Sequence, residues 1–479
     1  MRTLMLLLLL PSLLLPATLL AEEVRTLPEL GDPAAGLFSA QQEYRLGRAW
    51  LRQLHGRVPL LNDPLVQEYV EQLVYRLASY SALEDPDLAI VVVNDRNINA
   101  FAVPGGVIGL NAGLIIHAEY EDEASAVLAH EIAHVSQKHF IRRYADSQRS
   151  NRAMMAALLA SLALAVAGNA DAGIAGIMAT QAAAIQQQLA YSRHHEREAD
   201  RIGMQTLANA GYDPQAMPRF FERLQRSRQF AASAPEFLST HPINEERIAD
   251  SRGRANKLEP RDSPDPTIFH LVKARLMAGF FADPNQAVAH FRNSARRGSG
   301  SNAQANNYGL ALSAMRTRQF ALAEELITQL RQQHPDQHWY RVAQAELLQA
   351  RSEHGKAVIA LRELVRLMPG NYAISAMLAD SLIRIDKAGE AATLVESMLR
   401  RRPTDVALWR LASEAWGRSE QTALAHFARG EALFLSGAAE EGLEQMGYAL
   451  DKSKENFPLH SRIKARLREM DEMNKEKLL

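Results

Sequence analysis

Three prolines set the first constraint on this chain. Pro335, Pro369 and Pro403 lie 34 residues apart. Ala289, Ala323, Ala357 and Ala391 fall on a grid of the same period, and Leu330, Leu364 and Met398 share one phase of it. Three residue types returning at one spacing mean that the chain builds one small unit several times. A unit of that length cannot bury a core alone, so neighbours must stack and share one. Small alanines at a fixed place let paired helices approach closely, and a proline closes each unit. Ala439 and Met446 continue the pattern at a shift of 48 residues, which predicts an insertion of 14 residues near 406–428.

This pattern resembles the tetratricopeptide repeat, so residues 268–470 are expected to form an α-helical solenoid with a concave, protein-binding surface. Pro260, Pro264 and Pro266 mark a linker over 256–267. With 479 residues, the chain is too long for one core, and a separate unit is expected over 22–255. The segment 1–21 has an early cation, Arg2, an apolar run and small residues ending at Ala21, which reads as a secretory signal peptide. A Gram-negative periplasm is the expected address. The chain has no cysteine, so neither a disulfide nor a lipid anchor on cysteine enters the reading. A formal net charge of -1 gives no reason to expect a nucleic-acid partner.

Within 22–255, the Val-, Ile- and Gly-rich stretch 88–115 predicts strands and turns. Helical periodicity runs from Glu121 to about Tyr144, with acidic residues at its start. The segment 153–192 carries one charged residue, Asp171. Its two apolar stretches are each shorter than the roughly 20 residues that span a bilayer. A buried helical hairpin is the expected form, with a movable lid or a peripheral membrane contact as alternatives.

The chemistry centres on His130-Glu131-Ile132-Ala133-His134. On a helix, positions i and i+4 share a face, so both imidazoles can reach one metal ion. Zinc suits such ligands and makes water acidic enough to act near neutral pH. Glu131 can take that water's proton and pass it to the leaving amine. A third ligand is needed. Glu196 is a candidate, with Asp200 at i+4 placed to hold a ligand imidazole. Glu198, His194 and His195 compete, and spacing does not separate them. His117, His139, His194 and His195 are read as non-ligands.

HEIAH followed by EREAD resembles the gluzincin group that contains the CAAX prenyl endopeptidases and the bacterial HtpX-like proteases. In that group the glutamate of E-x-x-x-D is the third zinc ligand and the aspartate supports a zinc-bound histidine. The resemblance implies those roles for Glu196 and Asp200. It extends to His241-Pro242 with Arg247 downstream, and to Asn99-Ala100-Phe101-Ala102 followed by Pro104-Gly105-Gly106. In such proteases the latter strand is an edge that binds substrate backbone by strand addition. His241 has two readings: a donor to the oxyanion, or an occupant of the open zinc position that restrains the enzyme. Arg247 could pair with a carboxylate near the zinc or with substrate carbonyls.

The expected architecture is therefore mainly α. A helical gluzincin domain with a small β-sheet precedes the repeat solenoid, with one zinc ion per subunit. A leader, a soluble domain of this type and C-terminal repeats together resemble a periplasmic branch of the group. That implies clients among unfolded or misassembled outer-membrane proteins, and docking on the outer-membrane assembly machinery through the repeats. The competing reading is a scaffold or chaperone of that machinery whose protease is largely latent.

Overall fold

A computed structural model describes residues 39–147, 193–230, 235–262, 264–297 and 300–475. The expected leader over 1–21 and the apolar segment 153–192 lie outside them. Among the described residues, no helix is long and apolar enough to cross a membrane.

The N-terminal part begins with α1 (Ala40–Arg57) and α2 (Pro64–Ala78). Ser39 and Gln42 close a capping box on α1, and Asp63 caps α2 just before Pro64. Three strands follow, β1 (Ala89–Val93), β2 (Ala100–Val103) and β3 (Val107–Asn111). They form one sheet of order β1-β3-β2, with β1 parallel and β2 antiparallel to β3. The sheet is covered on both faces, which explains its nearly unbroken apolar sequence. Val91, Val93, Phe101 and Val103 pack with Trp50 and Leu54 of α1. Ile90, Val92, Ile108 and Leu110 join the larger core with α2. Gly105, in the β2–β3 turn, has a φ of 76°, and a Cβ there would stand 2.4 Å from the Glu43 carbonyl oxygen. Glycine is therefore required where the turn meets α1.

The stretch expected to be strand ends earlier than 115, because Ala112–His117 is a short helix, α3. The helix expected from Glu121 to Tyr144 is two helices, α4 (Glu121–Ser136) and α5 (His139–Ser147). Lys138, with a φ of 50°, breaks the ladder between them. Four further helices complete this part: α6 (Arg193–Asn209), α7 (Ala216–Phe230), α8 (Phe237–Thr240) and α9 (Glu245–Ala255).

From Thr267 onward the described chain is helix pairs: α10 (Thr267–Phe280), α11 (Pro284–Ala295), α12 (Gly300–Arg316), α13 (Phe320–Gln333), α14 (His338–Ala350), α15 (His354–Leu367), α16 (Tyr372–Arg384), α17 (Ala388–Leu399), α18 (Val406–Arg418), α19 (Thr422–Leu435), α20 (Ala439–Lys452) and α21 (Phe457–Lys475). The grid alanines Ala323, Ala357 and Ala391 are fully buried, as a close helix–helix contact requires. Ala289 is exposed, and Ala287 is buried in its stead. The expected insertion near 406–428 is absent. Helix starts at 320, 354, 388 and 422 keep the 34-residue step unbroken. Ala439 and Met446 instead belong to the first helix of the next pair. Ala425, in α19, keeps the alanine grid one step past Ala391, whereas the other two phases change residue type there, to Ala432 and Gly437.

The helix pairs rest on α2. Asp63 accepts the Leu65 and Val66 amides through one oxygen, and Arg275 of α10 at 2.6 Å through the other. Glu68 accepts from Asn371 at 2.8 Å. Glu71 takes both ends of the Arg402 guanidinium, at 2.7 and 2.5 Å. Three acids of one short stretch thus bind three separate places along the repeats.

Candidate active site

Helix α4 starts with Glu121, Asp122 and Glu123, where the helix dipole favours negative charge. Glu121 is fixed by the hydroxyls of Tyr69 and Tyr212, each at 2.8 Å. Near its other end, α4 buries His130, Glu131 and His134 completely or nearly so. Helix α6 lies against α4. At their crossing, a Cβ on Gly203 would stand 2.9 Å from the His130 amide nitrogen. The missing side chain lets α6 come close enough for Glu196 and Asp200 to reach the α4 histidines.

The ring nitrogens Nε2 of His130 and His134 are 3.0 Å apart. Glu196 carboxylate oxygens lie 3.6 Å from the former and 3.5 Å from the latter. His241, just after α8, completes the group. Its Nδ1 is 3.1 Å from Glu196 Oε1 and 3.3 Å from His130 Nε2. Its Nε2 is 3.4 Å from Glu131 Oε1. Donor atoms of His130, His134, Glu196 and His241 all lie within 4.8 Å of one another, and all four residues are buried. Two imidazoles and a carboxylate in that space form a donor set suited to zinc, and His241 lies beside a fourth position.

Asp200 and Arg247 hold this set from behind. His130 Nδ1 is 3.0 Å from Asp200 Oδ1. Arg247 from α9 grips Asp200 with two hydrogen bonds of 2.8 and 2.7 Å. It also donates to the Pro242 carbonyl at 2.8 Å and lies 2.8 Å from Glu196 Oε2. Arg247 is itself buried, over the ring of Phe221. Of its two expected readings, the structure has the carboxylate pairing.

Burial opposes ionisation of Glu196, yet His241, Arg247 and a hydrogen bond from His130 hold its carboxyl well below the usual range. Burial likewise opposes charge on Asp200, and Arg247 outweighs it. Burial disfavours a proton on His130, but its hydrogen bonds with Asp200 and Glu196 carry it up to about 10. Burial pushes His134 down and Glu131 up. A raised carboxyl beside the donor set is what proton transfer near neutral pH calls for.

The segment Asn99–Ala102 is buried at the start of the sheet's edge. Strand β2 pairs only with β3 among the described strands. A narrow opening lined by Ala102, Val103, His134 and Phe140 lies between that edge and the cluster. His117 and His194 are exposed and outside the donor group. His139 is also outside it, yet its Nδ1 lies 2.9 Å from His134 Nδ1. Burial pushes His139 down to about 4. Its other nitrogen is 3.2 Å from Glu198 Oε2. His139 is one of the histidines expected not to be a ligand, whereas Glu198 competes in the sequence with Glu196 for the third-ligand role. The one available signal was the position of His139 just past the motif's helix.

Comparison with known proteins places the chain among peptidases. The model of peptidase family M48 matches residues 64–255, which include the HEIAH, EREAD and His-Pro segments. The chain is 30% identical to a beta-barrel assembly-enhancing protease of Escherichia coli K12, over 95% of this chain and 93% of that one. It is 38% identical to a Vibrio cholerae protein that carries the same name provisionally, over 85% and 84% of the two chains. A mitochondrial metalloendopeptidase of Schizosaccharomyces pombe is 30% identical over 38% of this chain and 50% of its own length.

Proposed function

The chain belongs to the beta-barrel assembly-enhancing protease family of M48 zinc metalloendopeptidases, and on that premise we propose that it cleaves unfolded or misassembled outer-membrane proteins in the periplasm. The observation that carries the catalytic part is the buried group His130, His134 and Glu196 with Glu131 beside it. His130, His134 and Glu196 would hold one zinc ion per subunit. When bound, zinc polarises the scissile carbonyl and lowers the pKa of water.

The chain's own residues do the rest. Glu131 accepts the proton of the attacking water and delivers it to the leaving amine. Asp200 fixes His130 through Nδ1, so that Nε2 faces His134 and Glu196, where it would hold the zinc. Arg247 keeps Asp200 and Glu196 charged and aimed, and acts as a positioning residue. The backbone of Asn99, Ala100, Phe101 and Ala102 receives an extended substrate segment by strand addition. The helix pairs 268–470 present clients or dock on the outer-membrane assembly machinery, as stacked repeats commonly do. The name of the Escherichia coli relative, which refers to beta-barrel assembly, supports that setting.

His241 favours a second element of the reading. A histidine within reach of Glu196, His130 and Glu131, fully buried, suits a restraint on the open zinc position. Such a protease would be largely latent and could serve meanwhile as scaffold or chaperone.

Glu131→Gln tests the catalytic role: zinc content should stay at the wild-type level while casein cleavage is lost. Cleavage at the wild-type rate contradicts the role. Complementation of outer-membrane protein assembly by the same variant measures how much of the function is scaffolding. For His241→Ala, normal zinc with faster cleavage supports restraint. Normal zinc with slower cleavage supports an oxyanion donor instead.

A further inference from the structure

We propose that His139 and Glu198 form a positioning arm for His134, separate from the Asp200–Arg247 arm that holds His130, and that this arm fixes how tightly the site takes a divalent cation. The inference rests on His134 being a metal ligand.

The argument is one of proton counting. His134 Nε2 faces the donor group, 3.0 Å from His130 Nε2 and 3.5 Å from Glu196 Oε1. To offer a lone pair there, His134 must carry its proton on Nδ1. That nitrogen is 2.9 Å from His139 Nδ1. Two ring nitrogens at this distance share one proton, so His134 donates and His139 accepts. His139 must then carry its own proton on Nε2, which points at Glu198 Oε2 at 3.2 Å. Glu198 in turn accepts from Arg142 at 3.0 Å. Every polar atom along this line has one role, and the line ends in a carboxylate–arginine pair.

The other arm has the same ending. His130 Nδ1 meets Asp200, and Asp200 meets Arg247. One arm reaches its carboxylate directly, whereas the other passes through a neutral imidazole. Both carboxylates come from α6. Glu198 is two residues from both Glu196 and Asp200, so it leaves the helix on the opposite side. There α5 supplies the intermediate.

The local backbone fits this role. His139 is fully buried and stacks on His195 at 4.6 Å with 21° between the planes. It opens α5 directly after Lys138, a non-glycine residue with φ of 50°. A continuous helix would carry residue 139 further round, away from His134.

The test is zinc affinity, measured by competition with a chelator on the full chain. Wild type, His139→Ala, His139→Gln, Glu198→Ala and Glu196→Ala are compared. His139→Ala should bind zinc about 10- to 100-fold more weakly, the usual loss when a ligand's supporting partner goes. His139→Gln should recover most of that loss, because its carbonyl accepts from His134 and its amide donates to Glu198. Adding Glu198→Ala to His139→Ala should cost little more, since the arm is already cut. Wild-type affinity in His139→Ala, or equal losses in the Ala and Gln variants, overturns the proposal. If His139→Ala does not fold, a loss in Glu198→Ala supports the arm and its absence refutes it. Glu196→Ala separates the two levels: if it keeps wild-type affinity, the ligand assignment fails, whatever His139 does.

Discussion

Around the cation site, His130 and His241 meet across 111 residues of chain, and Arg247 grips Asp200 across 47. In the repeats, exposed charged partners are near in sequence, although the half-buried Arg275–Glu346 pair spans 71 residues. Arg341 meets Glu363 across 22 residues, Arg351 meets Glu324 across 27 and Arg362 meets Glu390 across 28. The first arrangement depends on four helices docking at once and is nearly dry. The second is a chain of neighbour contacts, mostly wet. A lesion in the cluster should therefore be felt by every member, whereas a lesion in a repeat should stay near its own pair.

The sharpest way to break this comparison is Arg247→Ala. It leaves Asp200 and Glu196 buried without their counter-charge, which should cost about 3–5 kcal/mol. Thermal unfolding of the metal-free protein reads the loss, and a loss below about 1 kcal/mol would mean the carboxylates are better solvated than their burial indicates. Next comes Leu361→Ala in α15, a fully buried repeat position. The cavity should cost about 2–4 kcal/mol while leaving zinc affinity unchanged. A large drop in zinc affinity would show that the repeats and the site are one cooperative unit.

The junction offers a smaller effect through pH. Burial pushes His55 down to about 4, with Arg410 adding to the shift and Asp405 opposing it. Between about pH 6.5 and 4 the unfolded chain binds the proton and the folded chain does not. Stability is thus full above about 6.5 and declines as pH falls through that window. With solvent screening the loss is on the order of 1 kcal/mol. His55→Gln should flatten the acid limb of the unfolding profile between those values; an unchanged limb removes His55 from the account. Smallest of all is the exposed Arg362–Glu390 pair. A double-mutant cycle should give no more than about 0.5 kcal/mol, vanishing in high salt. A coupling above about 1 kcal/mol would mean the repeats also rely on ion pairs.

The same contrast governs what was legible in the sequence. His130, Glu131 and His134 could be read directly, because neighbours on one helix share a face whatever the rest of the fold does. Glu196 and Glu198 could not be told apart by spacing. They lie two residues apart on one helix, and the docking of α6 on α4, with Gly203 at the contact, decides which faces the histidines. The arm through His139 was hidden for a related reason: it depends on a helix break at Lys138, a residue with no glycine-like signature. The repeats were legible as a period, yet the position of one alanine misplaced an insertion. Ala425 held the grid at that step, but the leucine and proline phases had become Ala432 and Gly437, so the unit lost part of its signature while keeping its helices. Three acids of α2 binding Arg275, Asn371 and Arg402 had no signature at all, because each partner lies more than 200 residues away.

The central claim is that His130, His134 and Glu196 hold the catalytic zinc. Its most direct test is the zinc content of the purified protein in wild type and in Glu196→Ala, with casein cleavage measured on the same samples. One equivalent in wild type, and loss of both metal and cleavage in the variant, is the predicted result. A wild type without zinc, or a variant that keeps both zinc and full activity, would contradict the account.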